Sequence, residues 1–289
     1  MARRTIVLSL MLGLLAAANA VPFDFYYLIL MWPGAYCESS DSGCCVPKYG
    51  YPAEDFFVKI FQTFDLSINK PVVKCRNGAA FDQNKVIINS QISLKLKPCY
   101  FALSPHMMHA YGRSMGHQLD KIENSINHYW SNLKCPPTDG VNTWKSEWNS
   151  YGVCSGLKQL DYFKAALNLR KQADILGALA EQGIEPDYKL YNTEKIKWAI
   201  TQKLGVAPGL QCRDGPFGKK QLYEVYLCVD TDGVTFIECP KLPAGLSCPA
   251  SVVFHPFYTW MLNSTAAAAA GGRAAFDSKI LLAAETMLN

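Results

Sequence analysis

With 289 residues, 49% of them hydrophobic, and eleven cysteines, the chain is long and apolar enough to bury one large core that disulfides need only supplement. The formal net charge of +4 falls to +2 once Arg3 and Arg4 leave with a leader, 26 basic residues then standing against 24 acidic. Affinity gained through phosphate contacts shows as a basic surplus or stripe. Without one, the balance argues against a DNA-binding protein and leaves RNA or a nucleotide only as a weakly held partner; protein partners stay open.

Arg3 and Arg4 precede an apolar run, Ile6 to Ala17, that is too short for a comfortable membrane span, and Ala18-Asn-Ala20 supplies small residues for cleavage. This predicts a signal peptide over 1–20, cut before Val21. No other stretch is long and apolar enough to cross a bilayer, so no membrane partner is expected. The mature chain should be exported, to the extracellular space or the vacuole, and its many cysteines suit that oxidising route.

Phe23 to Met31 is an aromatic and β-branched run that predicts a buried strand, turning at Trp32-Pro-Gly34. Phe56 to Phe61 predicts a second strand after a loop rich in Gly, Pro, Ser and Cys from Tyr36 to Pro52. Leu119, Ile122, Ile126, Tyr129, Trp130 and Leu133 recur at helical spacing and stop before Cys135-Pro-Pro137. Tyr162, Phe163, Ala166, Leu167, Leu169, Ala173, Leu176 and Leu179 predict one longer amphipathic helix, stopped near Gly183. Thr193 is placed to cap a third helix closed at Gly205. Leu222–Val229 and Thr235–Cys239 flank Asp230-Thr-Asp-Gly233, a β-hairpin signal. Strands and helices do not alternate strictly, which favours α+β over a doubly wound sheet.

Two segments carry a family resemblance. Residues 51–63 and Trp144 to Cys154 resemble the two signature segments of the ribonuclease T2 family, which read roughly D-F-x-x-H-G-L-W-P and W-x-H-E-W-x-K-H-G-T-C. Likeness to the plant, S-like branch extends from about Phe23 to Phe257. It includes Trp32 to Cys37, the Cys44-Cys45 pair, Phe81-Asp-Gln83, Asp161 to Leu167, Gly183 to Pro186, Leu227 to Asp230 and His255-Pro-Phe257. The resemblance implies an α+β fold, a central antiparallel sheet packed with helices and stapled by disulfides, in one domain over 21–258. It also implies the pairs Cys37–Cys44, Cys45–Cys135, Cys75–Cys154, Cys212–Cys248 and Cys228–Cys239, leaving Cys99 over. Residues 84–118 exceed the family's length as an anomalous insert, and 259–289 is an Ala/Gly-rich tail expected to be disordered.

The resemblance also shows what is missing. The family cleaves RNA by turning the 2′-hydroxyl on the adjacent phosphorus, one imidazole taking the proton and another protonating the departing 5′-oxygen. Lys59 stands where the first histidine belongs and Tyr151 where the second does. With ordinary pKa values of about 10.4 and about 10, lysine is a poor base and tyrosine a poor acid near neutrality. Ser146 replaces a phosphate-contacting histidine, Ser150 the cationic lysine, Gln62 the base-stacking tryptophan, and Leu30 a glutamine tied to base recognition. Of the catalytic set only Glu147 is kept.

His106, His109, His117, His128 and His255 read as surface or structural histidines. His106 and His109 with Cys99 lack a regular metal-ligand spacing, so no metal or cofactor is called for. The sequence therefore predicts a secreted relative with a degenerate active site, inactive and suited to a storage or stress-related role. The alternatives are a weak endoribonuclease releasing 2′,3′-cyclic phosphates and an RNA- or nucleotide-binding module.

Overall fold

The computed structural model describes residues 22–40, 43–76, 78–86 and 122–263. The expected leader, most of the insert with Cys99, His106, His109 and His117, and the chain after Asn263 lie outside the described residues.

The first strand, β1 (Phe25–Met31), is buried along its whole length. Its alternate side chains therefore enter two separate apolar layers. Helix α1 (Pro33–Glu38) follows at the Trp-Pro-Gly turn. A Cβ on Gly34 would lie 2.6 Å from the Pro256 carbonyl oxygen, so only glycine lets these backbones approach. Trp32 Nε1 donates to the His255 carbonyl at 2.6 Å and fixes the same corner. Strand β2 (Phe57–Asp65) pairs antiparallel with β1 and, through a short turn, with β3 (Lys70–Pro71).

The helical layer comprises segment 122–129, α2 (Val141–Ser150), α3 (Gln159–Ala173), α4 (Ile175–Ala180) and, after strand β4 (Leu190–Asn192), α5 (Thr193–Leu204). Strands β5 (Gly209–Asp214), β6 (Lys220–Val229), β7 (Phe236–Ile237) and β8 (Ser251–Val253) complete an eight-stranded sheet. Its order is β3-β2-β1-β6-β8-β4, with β5 and β7 on β6. This is the expected α+β fold. The larger core joins Tyr26, Leu28, Leu30 and Phe61 to Trp144, Trp148, Tyr162, Phe163, Ile196 and Ile200. A smaller cluster of Phe25, Tyr27, Ile29, Phe64 and Cys228 fills the opposite sheet face.

Three local expectations are corrected. The single helix expected through Leu179 breaks at Asp174, which takes the left-handed conformation (φ 42, ψ 52) and splits it into α3 and α4. Aspartate tolerates that conformation better than most residues. The cap of α5 is Asn192, whose carboxamide accepts the Lys195 N–H at 3.1 Å. Thr193 instead donates to the Pro249 carbonyl at 2.5 Å. The helix expected through Leu133 ends by Trp130, where Asn132 accepts the Lys134 N–H in a local turn.

Five disulfides join Cys37 to Cys44, Cys45 to Cys135, Cys75 to Cys154, Cys212 to Cys248 and Cys228 to Cys239. These are the pairs the resemblance implies. Arg170 forms a second kind of staple. Buried on α3, it pairs with Asp55, donates from Nε to the Phe56 carbonyl at 2.9 Å and stacks 4.0 Å from the Tyr129 ring centroid, so the start of β2 is tied to two helices.

The tail boundary expected at 258/259 falls short. Met261, Leu262 and Asn263 are buried, and Asn263 exchanges backbone hydrogen bonds with Cys44 (2.9 Å) and Val46 (3.1 Å). Asn263 opens the one Asn-x-Thr sequon. With its side chain enclosed, the folded chain has no room there for a glycan. Protein secreted from a glycosylating host should show no mass change at this site on deglycosylation. A glycan at Asn263 would mean that this strand is displaced from the loop at Cys44.

Candidate active site

Register places Lys59. Ile29 pairs with Ile60 and Leu30 with Val58, which leaves Lys59 as the extra residue of a β-bulge in β2. A second bulge lies across β1. Gln211 pairs with Glu224 and Cys212 with Leu222, leaving Tyr223 extra in β6. Bulges re-aim side chains, and these two bring Lys59 to the buried acid of β6. The Lys59 ammonium forms a short ion pair with Glu224, whose other oxygen accepts the Tyr226 hydroxyl at 2.7 Å. Lys59 is 35% exposed and Glu224 3%. The ammonium also lies 5.6 Å from the Tyr223 ring centroid, with the Arg213 guanidinium 4.5 Å from the same ring.

Glu147 has a different task. Beyond β3 the outer edge of β2 has no partner strand, and Glu147 on α2 and Tyr162 on α3 take its place. Glu147 Oε1 accepts the Phe61 N–H at 2.8 Å, and the Tyr162 hydroxyl donates to the Phe61 carbonyl while lying 3.1 Å from the same Oε1. Burial pushes the Glu147 carboxyl up to about 8, against the two hydrogen bonds that favour its charged form. At neutral pH it is mostly the neutral acid.

Tyr151 follows α2, half-buried, its N–H bonded to the Glu147 carbonyl at 2.9 Å. Burial first, and the Glu147 charge second, raise its hydroxyl above the ordinary tyrosine value. Ser146 is exposed. Ser150 is half-buried, and its carbonyl accepts the Lys74 N–H at 2.9 Å. Trp144 and Trp148 are core residues donating to the carbonyls of Trp130 (2.9 Å) and Ala79 (2.7 Å). Any Cβ on Gly152 would collide with the Trp148 ring, which accounts for the glycine at the helix end. Leu30 is fully buried in the larger core, and Gln62, opposite Tyr27, is 9% exposed.

The frame thus places Glu147, Ser146 and Ser150 on one helix beside β2, with Tyr151 directly at its end. Among the described residues, the Lys59 ammonium engages Glu224 and Tyr223 rather than Glu147 or Tyr151. The sequence reading missed Glu224, Tyr226 and the hydroxyl of Tyr162. An acid inside the apolar run Leu222–Val229 was the available signal, because a buried charge needs a partner.

His255 is fully buried between the Tyr188 hydroxyl (3.2 Å from Nε2) and the Pro256 carbonyl (2.9 Å from Nδ1), and burial pushes it down to about 4. Among the described residues no group of three His, Cys, Asp or Glu side chains could hold a metal ion. A groove of about 330 Å³ between the start of α5, β5 and residues 242–250 shares no residue with this constellation.

The constellation is that of a disulfide-stapled α+β scaffold whose β2 strand and α2 helix meet through a buried glutamate. The ribonuclease T2 family model matches residues 23–239, and the chain belongs to that family. It is 35% identical over 240 residues to "Ribonuclease 3" of Arabidopsis thaliana, covering 82% of this chain and 92% of that one. It is 27% identical over 233 residues to a "Ribonuclease-like storage protein" of Panax ginseng, covering 78% of each. The crystal structure of RNase NT in complex with 5'-AMP superposes with a TM-score of 0.65 at 32% identity, covering 82% of this chain and all of that one.

Proposed function

We propose that this protein is a secreted, non-catalytic ribonuclease T2-family member kept as a durable storage or stress-related protein. The observation that carries the reading is the Lys59–Glu224 ion pair at the position where the family resemblance expects the imidazole base. An ammonium donating to a buried carboxylate has no lone pair with which to take a hydroxyl proton. At the second position, Tyr151 holds its proton more tightly than an ordinary tyrosine. Glu147, although a neutral acid near pH 7, is 7% exposed and committed to Phe61, so it is out of reach of a leaving oxygen. Five disulfides suit durability, and the ginseng relative named as a storage protein gives the role a precedent.

The test is RNA degradation by purified mature protein across acid to neutral pH, expected to be no faster than buffer. Lys59→His with Tyr151→His should return some activity. Full activity should also require Ser150→Lys, Gln62→Trp and Ser146→His, because phosphate and base contacts are gone as well. Release of 2′,3′-cyclic nucleotides by the unmodified protein, abolished by Lys59→Ala, would overturn the reading in favour of a weak endoribonuclease.

A second reading, nucleotide binding without cleavage, is favoured by one observation. The neutral Glu147 does not repel phosphate, and RNase NT was solved with 5'-AMP. Saturable binding of 5'-AMP to the unmodified protein would promote this reading over storage.

A further inference from the structure

Between β2 and β3 the chain turns through residues 66–69, and residues 66–70 are all exposed. Two of the five side chains presented there are apolar, and a third apolar side chain is exposed close by. Leu66 is 38% exposed, Ile68 58% and, just beyond β3, Val73 46%. Single exposed hydrophobics need no explanation, but two of them on one turn, with a third just past the next strand, do.

The turn is firmly built. The Asp65 carboxylate accepts the Ser67 N–H (2.7 Å), the Ser67 hydroxyl (2.6 Å) and the Ile68 N–H (3.3 Å). Asp24 accepts the Leu66 N–H at 2.6 Å, and Asn69 closes the turn at φ 52. Cys75–Cys154 anchors the returning chain to the end of α2. The apolar side chains are therefore presented ready-ordered, which lowers the entropy lost on binding.

Along the chain returning from this turn the charge is of one sign. Residues 66–76 contain Lys70, Lys74 and Arg76 and no acid. All three are exposed. The two carboxylates at the turn, Asp24 and Asp65, accept backbone N–H groups, and the Ser67 hydrogen bonds hold the Asp65 carboxyl below the ordinary carboxylate range, so the three cations stand against two acids.

We propose that this turn is a membrane-surface anchor, in which Leu66 and Ile68 enter the headgroup boundary of an anionic bilayer while Lys70, Lys74 and Arg76 bind its lipid phosphates. The contact is peripheral, since no helix among the described residues is long and apolar enough to cross a membrane. A bilayer fits better than a protein partner. A patch of two or three apolar side chains offers far less than the roughly 800 Å² per partner of a standard protein interface, whereas a bilayer needs no matching groove. Each basic residue near an anionic surface strengthens binding roughly fivefold, and the attraction is screened by salt.

The experiment is sedimentation of the full mature protein with phosphatidylcholine vesicles made with and without phosphatidylserine. Binding is expected with phosphatidylserine, weakened by salt, and little without it. Lys70→Gln with Lys74→Gln should weaken it by about 25-fold, and Leu66→Ser with Ile68→Ser by at least about tenfold. Thermal unfolding midpoints should stay unchanged, because these side chains are exposed. Ile68→Trp should be quenched by brominated lipid. Equal binding to both vesicle types, no binding to either, retained binding in the turn variants or an unquenched Ile68→Trp would each overturn the proposal. Absence of vesicle binding with capture of an acidic protein through the same residues would assign the turn to a protein partner instead.

Discussion

Glu147→Gln is expected to stabilise the protein at alkaline pH and to leave it nearly unchanged near pH 5. The folded chain holds the Glu147 proton up to about 8, whereas the unfolded chain releases it near 4.5. The raised value therefore contributes stability that is complete below about 4.5 and is lost as pH rises through about 8. Each pH unit in that window is worth about 1.4 kcal/mol, so the full loss is on the order of 5 kcal/mol.

His255 works in the opposite direction. Its value is lowered from 6.5 to about 4, so stability is complete above 6.5 and falls as pH drops toward 4. Between about 4.5 and 6.5 the two slopes oppose each other, and the unmodified protein should show a plateau there, then a decline toward pH 8. Glu147→Gln keeps the acceptor for Phe61 and Tyr162 but carries no charge to desolvate. Its advantage over the unmodified protein should grow steadily with pH, read as the midpoint of urea unfolding at several pH values. A variant equally destabilised at every pH would show that the carboxylate is ionised in the fold and needed as such.

That prediction could not have come from the sequence. The aromatic run of β1 and the turn chemistry of Asp230 to Gly233 are local signals, and the structure returns them as β1 and the β6–β7 hairpin. Register is not local. The bulges at Lys59 and Tyr223 depend on which residue of one strand meets which of the next, and each changes the face its side chain addresses. Asp174 hid its helix break because the apolar stripe continues across it into α4. The packing of Met261 to Asn263 was invisible for a similar reason, since its partner is the loop at Cys44 to Val46, far away in the chain.

Removing the cation from the Lys59–Glu224 pair should cost about 2–3 kcal/mol in Lys59→Met. That lies below the range for a fully buried ion pair because the lysine is 35% exposed and water reaches it. Glu224 then remains enclosed on β6 with uncharged hydroxyls, those of Tyr226 at 2.7 Å and of Tyr223, as its hydrogen-bond partners. Glu224→Gln should cost less, about 1–2 kcal/mol, because the carboxamide oxygen still accepts from Tyr226 while the lysine can turn to solvent. The double variant should be more stable than the sum of the two losses implies, by about 1–2 kcal/mol, which is the signature of direct coupling between the side chains. The same cycle bears on function. If Lys59 is held in the structure by Glu224, Lys59→His leaves an imidazole facing that carboxylate, and catalysis should recover further in Lys59→His, Tyr151→His once Glu224→Gln is added. Additive losses in the cycle, with Lys59→Met neutral, would show a lysine that the fold does not hold, and the principal support for the non-catalytic reading would be gone.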